Sequence, residues 1–391
     1  MVGRDGNSSG PQRQMQIYQA GNAGARPSQP IAPEDLETAA REALSLEAFD
    51  YVAGGAGSED TMRANLDAFR QWRIVPRFLR DVARRDLSVE LFDVKIPSPI
   101  LLAPIGVLGI VHDDAELPVA RATSSVGVPF IVSSVSTHTM EAIAEAMGDC
   151  PRWFQLYWPK LDDLTTSFLS RAEQAGYSAI VVTLDTYLLG WRERDLNHAY
   201  LPFFTGNGLA NYICDPVFAQ ALGEDPRANP EKSLKLFTEI FSDPSHTWDH
   251  LAKLCQQTKL PVLVKGALHP DDARQALDVG VAGIIVSNHG GRQVDGERSA
   301  LDALPDIVDA VGDQTTVLFD SGIRRGADIV KALALGAKSV LLGRPYCYGL
   351  AIRGEQGVRE VLLNLLADLD LTLGLTGCAS LAELTREHLH R

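Results

Sequence analysis

What this chain has little of narrows the reading first. Only five cysteines occur in 391 residues, at Cys150, Cys214, Cys255, Cys347 and Cys378. They are scattered, odd in number and form no CxxC pair, which argues against a disulfide framework or a structural zinc site and for a reducing compartment. No metal centre is expected. Positive charge is also short: 36 Lys and Arg face 50 Asp and Glu, a formal net charge of −14. That balance excludes a broad nucleic-acid or anionic-membrane surface and leaves room only for a local basic pocket that takes a small anion. No apolar run reaches the roughly 20 residues needed to span a bilayer. The opening MVGRDGNSSGPQRQ lacks the apolar centre of a signal peptide, and the closing HLHR is not a peroxisomal tripeptide of the SKL kind. The expected location is cytoplasmic.

Apolar periodicity is missing from residues 1–33, which are rich in Gly, Ser, Gln, Asn and Pro and are expected to form a disordered or loosely attached tail. PEDLETAAREAL (33–44) predicts a helix with a proline and acids in its first turn. A second helix is expected after VAGGAGSEDT, capped by Ser58 or Asp60.

From residue 99 the pattern becomes regular. Eight short apolar runs recur: PILLAPIG (99–106), PFIVSSV (129–135), RWFQLYW (152–158), SAIVVTLD (178–185), PVLVKG (261–266), AGIIVSN (282–288), TTVLFDSG (315–322) and SVLLGRP (339–345). They are continuously apolar rather than alternating, as parallel strands covered on both faces must be. Helical patterns that end in glycine separate most of them. Eight β-then-α units predict a TIM barrel over about residues 99–350, within one unit spanning 34–391. A doubly wound open sheet is the alternative, but no GxGxxG follows the first strand. Roughly 75 residues separate the fourth and fifth runs, far beyond an ordinary βα connection. The polar, aromatic insertion at about 190–247 is therefore expected to be a lid.

Active sites of such barrels lie at the C-terminal strand ends. That rule collects Ala103, Pro104, Ile105 and Gly106; Ser133; Gln155 and Tyr157; Thr183 and Asp185; Lys265; Ser287 and His289; Asp320 and Gly322; and Gly343 and Arg344. Three groupings carry separable chemistry. DSGIRRGAD and LLGRP, with Gly322, Arg324, Gly343 and Arg344, suit a phosphate held by backbone N–H groups and guanidinium. Lys265 in LVKG suits either a Schiff base or a fixed cation beside a developing anion. In SNHGGRQVDG, His289 stands three positions before Arg292, with Arg192 supplied by the lid. That combination suits a carboxylate substrate with an abstractable proton, and Asp185 can orient the imidazole.

SNHGGRQ, LVKG, DSGIRRGADIVKALALGA, GRP, FQLY and VVTLDT together resemble the FMN-dependent α-hydroxy-acid oxidase and dehydrogenase family over about residues 34–388. The resemblance implies FMN as cofactor and His289 as the base acting on a small L-2-hydroxy acid, supported by Asp185. Arg192, Arg292 and the Tyr51 hydroxyl would grip the substrate carboxylate, and Tyr157 its hydroxyl. Lys265 would stand beside the reducible edge of the flavin. Ala103–Gly106, Ser133, Gln155 and Thr183 would contact the ring; Ser287, Asp320, Gly322, Arg324, Gly343 and Arg344 would hold the ribityl and phosphate end. YVAGGAG, RDLSVEL, APIGV, GWRERDL and HPDDAR are most similar to the family's lactate 2-monooxygenase branch. The implied reaction is L-lactate with molecular oxygen to acetate, carbon dioxide and water. Release of the 2-oxo acid with hydrogen peroxide, or transfer to another acceptor, is the alternative. Gly106, where many relatives carry alanine, is expected to widen the substrate space. A homo-oligomer is also implied.

Overall fold

The computed structural model describes residues 10–391. Its centre is a closed barrel of eight parallel strands: β1 (Ile100–Leu102), β2 (Phe130–Ser133), β3 (Arg152–Tyr157), β4 (Ile180–Thr183), β5 (Val262–Ala267), β6 (Gly283–Val286), β7 (Thr316–Phe319) and β8 (Ser339–Leu342). β8 pairs back onto β1 through Val340–Ile100, Leu341–Leu101 and Leu342–Leu102. Each strand lies within one of the eight apolar runs, except that β5 runs one residue further, to Ala267.

The continuous apolarity has a direct cause. Leu101, Ile131, Trp153, Val181, Leu263, Ile285, Leu318 and Leu341 form one buried cluster inside the barrel. Their strand neighbours, such as Ile100, Phe130, Phe154, Val182, Ile284 and Phe319, belong to the larger core shared with the surrounding helices. Both faces of every strand are dry, so alternation has no role. A hairpin (Val89–Leu91 with Val94–Ile96) adds Val89, Leu91 and Ile96 to the inner cluster. Its Phe92 packs on Trp153, ring centroids 5.7 Å apart, near the strand starts and so at the end away from the site. No helix among the described residues is long and apolar enough to cross a membrane.

Residues 10–22 depart from the expected tail; residues 1–9 lie outside the described part of the chain. Gly10–Asn22 is a helix laid along the C-terminal helical segment Arg344–Thr376, which is itself broken at Arg353 and Gly354. The Gly10 N–H donates to Asp370 at 2.6 Å, and Arg13 binds Glu360 and Asn364. Gln29 is buried and donates to the Gly357 carbonyl at 3.1 Å. These ties are polar and reach some 350 residues along the chain, so an apolar period does not register them.

A short helix, Leu46–Ala53, precedes the expected Asp60–Gln71 helix. Neither Ser58 nor Asp60 caps the latter. Glu59 occupies the cap position in left-handed conformation with no side-chain cap bond. The carboxylate of Asp295, from the loop after β6, instead accepts from the N–H groups of Ser58 (2.7 Å), Asp60 (2.7 Å) and Thr61 (3.3 Å). A side chain more than 230 residues away thus satisfies the orphan donors that begin this helix.

The insertion after β4 is a folded layer with its own core. It carries short helices at Glu193–Asn197, Ala210–Ile213 and Pro216–Leu222 and a longer one at Pro230–Ile240, before Trp248–Cys255 returns the chain to β5. Phe203, Phe237 and Phe241 pack mutually with centroids 5.0–5.7 Å apart, and Tyr212 joins them. Buried Asn211 pins this layer to the loop after β2, bonding Ser134, Ser136 and Met140.

Replacing Asp295 by Ala is expected to destabilise the protein by about 1 kcal/mol, the usual cost of a lost helix cap. Urea unfolding measures it, and unchanged stability would mean that water replaces the carboxylate without loss.

Candidate active site

The strand ends open into one cavity beneath the inserted layer. Tyr51, Ala103, Pro104, Ile105, Gly106, Tyr157, Arg192, Lys265, His289, Arg292, Asp320, Gly322, Arg324, Gly343 and Arg344 all line it. Ser133, Gln155, Thr183, Asp185 and Ser287 do not line it but stand behind those that do. Ser133 donates to Gln155 at 2.9 Å, and Gln155 donates to Thr183 at 2.9 Å, a row of amide and hydroxyl groups across the ends of β2, β3 and β4. The structure therefore brings every residue proposed from the sequence to the same end of the barrel.

His289 sits at the centre. Its Nδ1 is 2.7 Å from Asp185 Oδ1 and 3.2 Å from Thr186 Oγ1; its Nε2 is 3.5 Å from the Tyr157 hydroxyl. Burial disfavours charge on Asp185, but His289 and Lys265 outweigh it and hold the carboxyl well below its ordinary range. An ionised Asp185 fixes the proton on Nδ1 and leaves Nε2 as an acceptor facing the cavity. Burial, with Lys265 and Arg192 nearby, lowers His289 from 6.5 despite Asp185. The imidazole is thus neutral at neutral pH, the state a base requires.

Lys265 is buried, donates to Ser287 at 2.9 Å, and lies 3.4 Å from Asp320 and 3.8 Å from Asp185. Burial works against its charge, but Asp320 and Asp185 prevail and raise it above the usual lysine value. It is a fixed cation here. A Schiff-base lysine needs the opposite shift.

Four guanidinium groups behave differently. Arg192, Arg292, Arg324 and Arg344 have no carboxylate within 4 Å among the described residues; their N–H groups go to backbone carbonyls and to Gln293. Burial and the nearby Arg192 push Arg292 down to about 9, and burial lowers Arg344. In a chain of net charge −14, this concentrated, uncompensated positive charge is completed only by bound anions.

Backbone geometry makes the convergence possible. His289, Gly290 and Gly291 are consecutively left-handed, with φ of 57°, 66° and 77°. A Cβ on Gly291 would lie 2.6 Å from the Met62 nitrogen, so the loop packs flush on the Asp60–Gln71 helix.

The chain covers the family model described as FMN-dependent dehydrogenase from residue 40 to 391. It belongs to the FMN-dependent dehydrogenase family. The chain is 46% identical to an L-lactate oxidase of Lysinibacillus sphaericus, covering 90% of each protein. It is 45% identical to the FMN-dependent alpha-hydroxy acid dehydrogenase qulF of Penicillium citrinum, covering 97% of this chain and 95% of that one. Among solved structures, a mutant of the active chimera of (S)-mandelate dehydrogenase superposes with a TM-score of 0.84 at 38% identity, over 92% of this chain and 99% of that one.

As a member of this FMN-dependent family, the chain offers a donor set that fits the cofactor. Gly322 (φ 100°) and Gly343 open the loops after β7 and β8, next to Arg324, Arg344 and the starts of the helices Gly326–Ala334 and Arg344–Thr376. The N–H groups of Arg324, Arg325 and Gly326 are taken by Asp328 and Asp368; it is the Arg324 and Arg344 guanidinium groups, bonded only to backbone carbonyls among the described residues, that suit a phosphate. The Ser133–Gln155–Thr183 row and the Lys265 ammonium suit the polar edge of a flat heterocycle.

Sequence reasoning missed Thr186, Gln293 and Ser321. Gln293 donates to the Asp185 and Leu188 carbonyls and accepts from Arg192, joining the lid to the His289 loop. It belongs to the SNHGGRQ motif, and that was its only signal. Ser321, left-handed at φ 85°, accepts from the N–H groups of Asn288 and Gly290 and donates to Asp320. It ties the two loops together. Gly106 differs from expectation: a Cβ there would meet Val135 Cγ2 at 2.5 Å and the Val135 carbonyl at 2.8 Å. Its missing methyl accommodates close packing of the β1 and β2 loops and does not enlarge the substrate space.

Proposed function

We propose that this chain oxidises a small L-2-hydroxy acid, L-lactate first among them, with oxygen as acceptor, releasing the 2-oxo acid and hydrogen peroxide. The observation that carries the reading is His289, bonded through Nδ1 to Asp185, facing two arginines that have no carboxylate of their own among the described residues. Arg192 and Arg292 bind the substrate carboxylate, helped by the Tyr51 hydroxyl, whose ring lies 5.1 Å from the Arg292 guanidinium carbon. Tyr157 and His289 Nε2 then share the substrate hydroxyl. His289 takes its proton, and Asp185 stabilises the imidazolium that results. FMN, when bound, supplies the two-electron acceptor. Ala103–Gly106, backed by Ser133, Gln155 and Thr183, would hold its ring, and Asp320, Gly322, Arg324, Gly343 and Arg344, backed by Ser287, its ribityl phosphate. Lys265 would offer the bound cofactor a fixed positive charge, which favours its negatively charged reduced form.

The names of the L-lactate oxidase relatives support release of the 2-oxo acid. A second reading is favoured by the part the inserted layer takes in the cavity wall: its Phe203 and Phe241 line the cavity beside Tyr157, with the Tyr157 and Phe241 rings 5.1 Å apart. Delayed exit of pyruvate would let peroxide decarboxylate it, so that lactate and oxygen yield acetate, carbon dioxide and water.

Product analysis decides between them. The yellow protein incubated with L-lactate in air is expected to give pyruvate and peroxide in equal amounts. Acetate in their place establishes the second reading, and a flavin that no 2-hydroxy acid reduces rejects both. His289→Gln is expected to keep FMN while the rate of flavin reduction falls by about 10²–10⁴; a near-normal rate would exclude His289 as the base.

Acidity supplies an independent check. Because burial lowers His289 from 6.5, the base form already dominates at neutral pH. The limiting rate of flavin reduction should therefore be flat at and above pH 7 and fall only on acidification below 6.5. A rate that climbs as pH drops would contradict the assignment.

Substrate size follows from the aromatic wall. Phe241→Ala is expected to raise the relative efficiency for 2-hydroxy acids with longer side chains by about 10-fold, since a methylene or two of pocket space is worth roughly 1–3 kcal/mol. An unchanged preference, measured by anaerobic flavin reduction, would place the side chain elsewhere.

A further inference from the structure

The lid sequence GWRERDLNH contains two arginines two residues apart that do different things. Arg192 turns inward to the cavity, while Arg194 turns towards the segment FDYVAGGAGSE. Its Nη1 lies 3.2 Å from Asp50 Oδ1 and its Nη2 2.7 Å from Glu59 Oε2. Asp50 Oδ2 also meets His198 Nε2 at 2.8 Å, and Glu59 Oε1 accepts from the Gly55 N–H at 3.0 Å. The two carboxylates are largely buried, with side chains 16% and 15% exposed.

These contacts bracket the parts that bind substrate. Asp50 adjoins Tyr51 on the Leu46–Ala53 helix, and Arg194 stands two residues from Arg192. The stem of Arg194 passes over Gly54, where an added Cβ would lie 3.3 Å from its Cδ. The Gly54 carbonyl in turn accepts from Arg292 and from Arg344, each at 2.8 Å. Beside it, the Gly57 N–H donates to the Trp191 carbonyl at 2.7 Å and the Ala56 N–H to the Gly291 carbonyl at 2.8 Å. The loop Gly54–Gly57 is therefore held at once by the lid, by the His289 loop and by the start of the last barrel helix.

We infer that Arg194 is a positioning residue: with Asp50 and Glu59 it forms an ionic latch that sets Arg192 of the lid against Tyr51 and Arg292, so that the three converge on one carboxylate. The inference rests on the proposed role of Arg192 and Arg292 as the substrate's carboxylate clamp. The physical reason is the shortness of the lid helix. Glu193–Asn197 spans five residues and is marginal by itself. The direction in which Arg192 points is set by what anchors that turn from outside. Arg194 touches no reacting atom and acts only through its neighbour.

The test uses the FMN-bound full chain and the variants Arg194→Ala, Arg194→Lys and Asp50→Asn. In anaerobic stopped-flow reduction, Arg194→Ala is expected to raise the lactate concentration giving half-maximal rate about 5-fold or more, with the limiting rate within about threefold of wild type. Arg194→Lys, which keeps the charge but not the fork, should recover part of that loss. Asp50→Asn should resemble Arg194→Ala more weakly. Hydrogen–deuterium exchange without substrate gives a readout independent of turnover: amides in 187–200 and the Gly57 amide should exchange faster in Arg194→Ala. An unchanged lactate dependence overturns the inference, even if thermal stability falls. So does a limiting rate that falls as much as the affinity, or exchange that does not change. If the wild-type flavin is reduced by no 2-hydroxy acid, the proposed function fails, and the exchange experiment alone then decides whether the latch exists.

Discussion

The site depends on one buried cation. Lys265 sits in the cavity wall with its ammonium between Asp320 and Asp185, and its charge survives burial only because those carboxylates face it. The same arrangement keeps Asp185 ionised, and an ionised Asp185 dictates which nitrogen of His289 carries the proton. Removing any one of the three charges from this dry cluster would leave the others uncompensated. His289, its orientation and the fixed positive charge are therefore a single electrostatic unit supplied from the ends of three neighbouring strands, β4, β5 and β6, with Asp320 from the end of β7 closing it.

Around that unit the protein does the reverse and leaves positive charge without carboxylate partners. Arg192, Arg292, Arg324 and Arg344 are held in place by carbonyl groups, which orient a guanidinium without neutralising it. Such groups are costly to bury until an anion arrives. Two sit beside the base and two at the loops after β7 and β8. Arg292 and Arg344 share the Gly54 carbonyl as acceptor, so the two pairs adjoin; together they suit the anionic groups that an FMN-dependent hydroxy-acid oxidoreductase must hold.

Much of this was legible in the sequence, for a physical reason. Barrel strands are dry on both faces, so all eight announce themselves as apolar runs. Polar residues at their ends have no packing role and stand out. What escaped was held by contacts between residues far apart in the chain. Asp295 caps a helix from a loop more than 230 residues later. The helix Gly10–Asn22 is fastened by Asp370, Glu360 and Asn364 rather than by an apolar stripe. Ser321 shows no role until its hydroxyl is seen receiving two backbone N–H groups, and Gly106 reads as added space until Val135 is found occupying it.

By itself, the sequence determined the barrel, the long insertion after its fourth strand and the inventory of His289, Asp185, Lys265 and the arginines, because hydrophobic period and side-chain chemistry are local properties written residue by residue. Tertiary structure alone decided which arginines lack a carboxylate partner among the described residues, that Lys265 is a clamped cation, and that Arg194 and Gln293 bond across to neighbouring loops. Those properties are relations between distant residues. A guanidinium is free or paired, and an imidazole neutral or charged, only according to what the folded chain sets a few ångströms away.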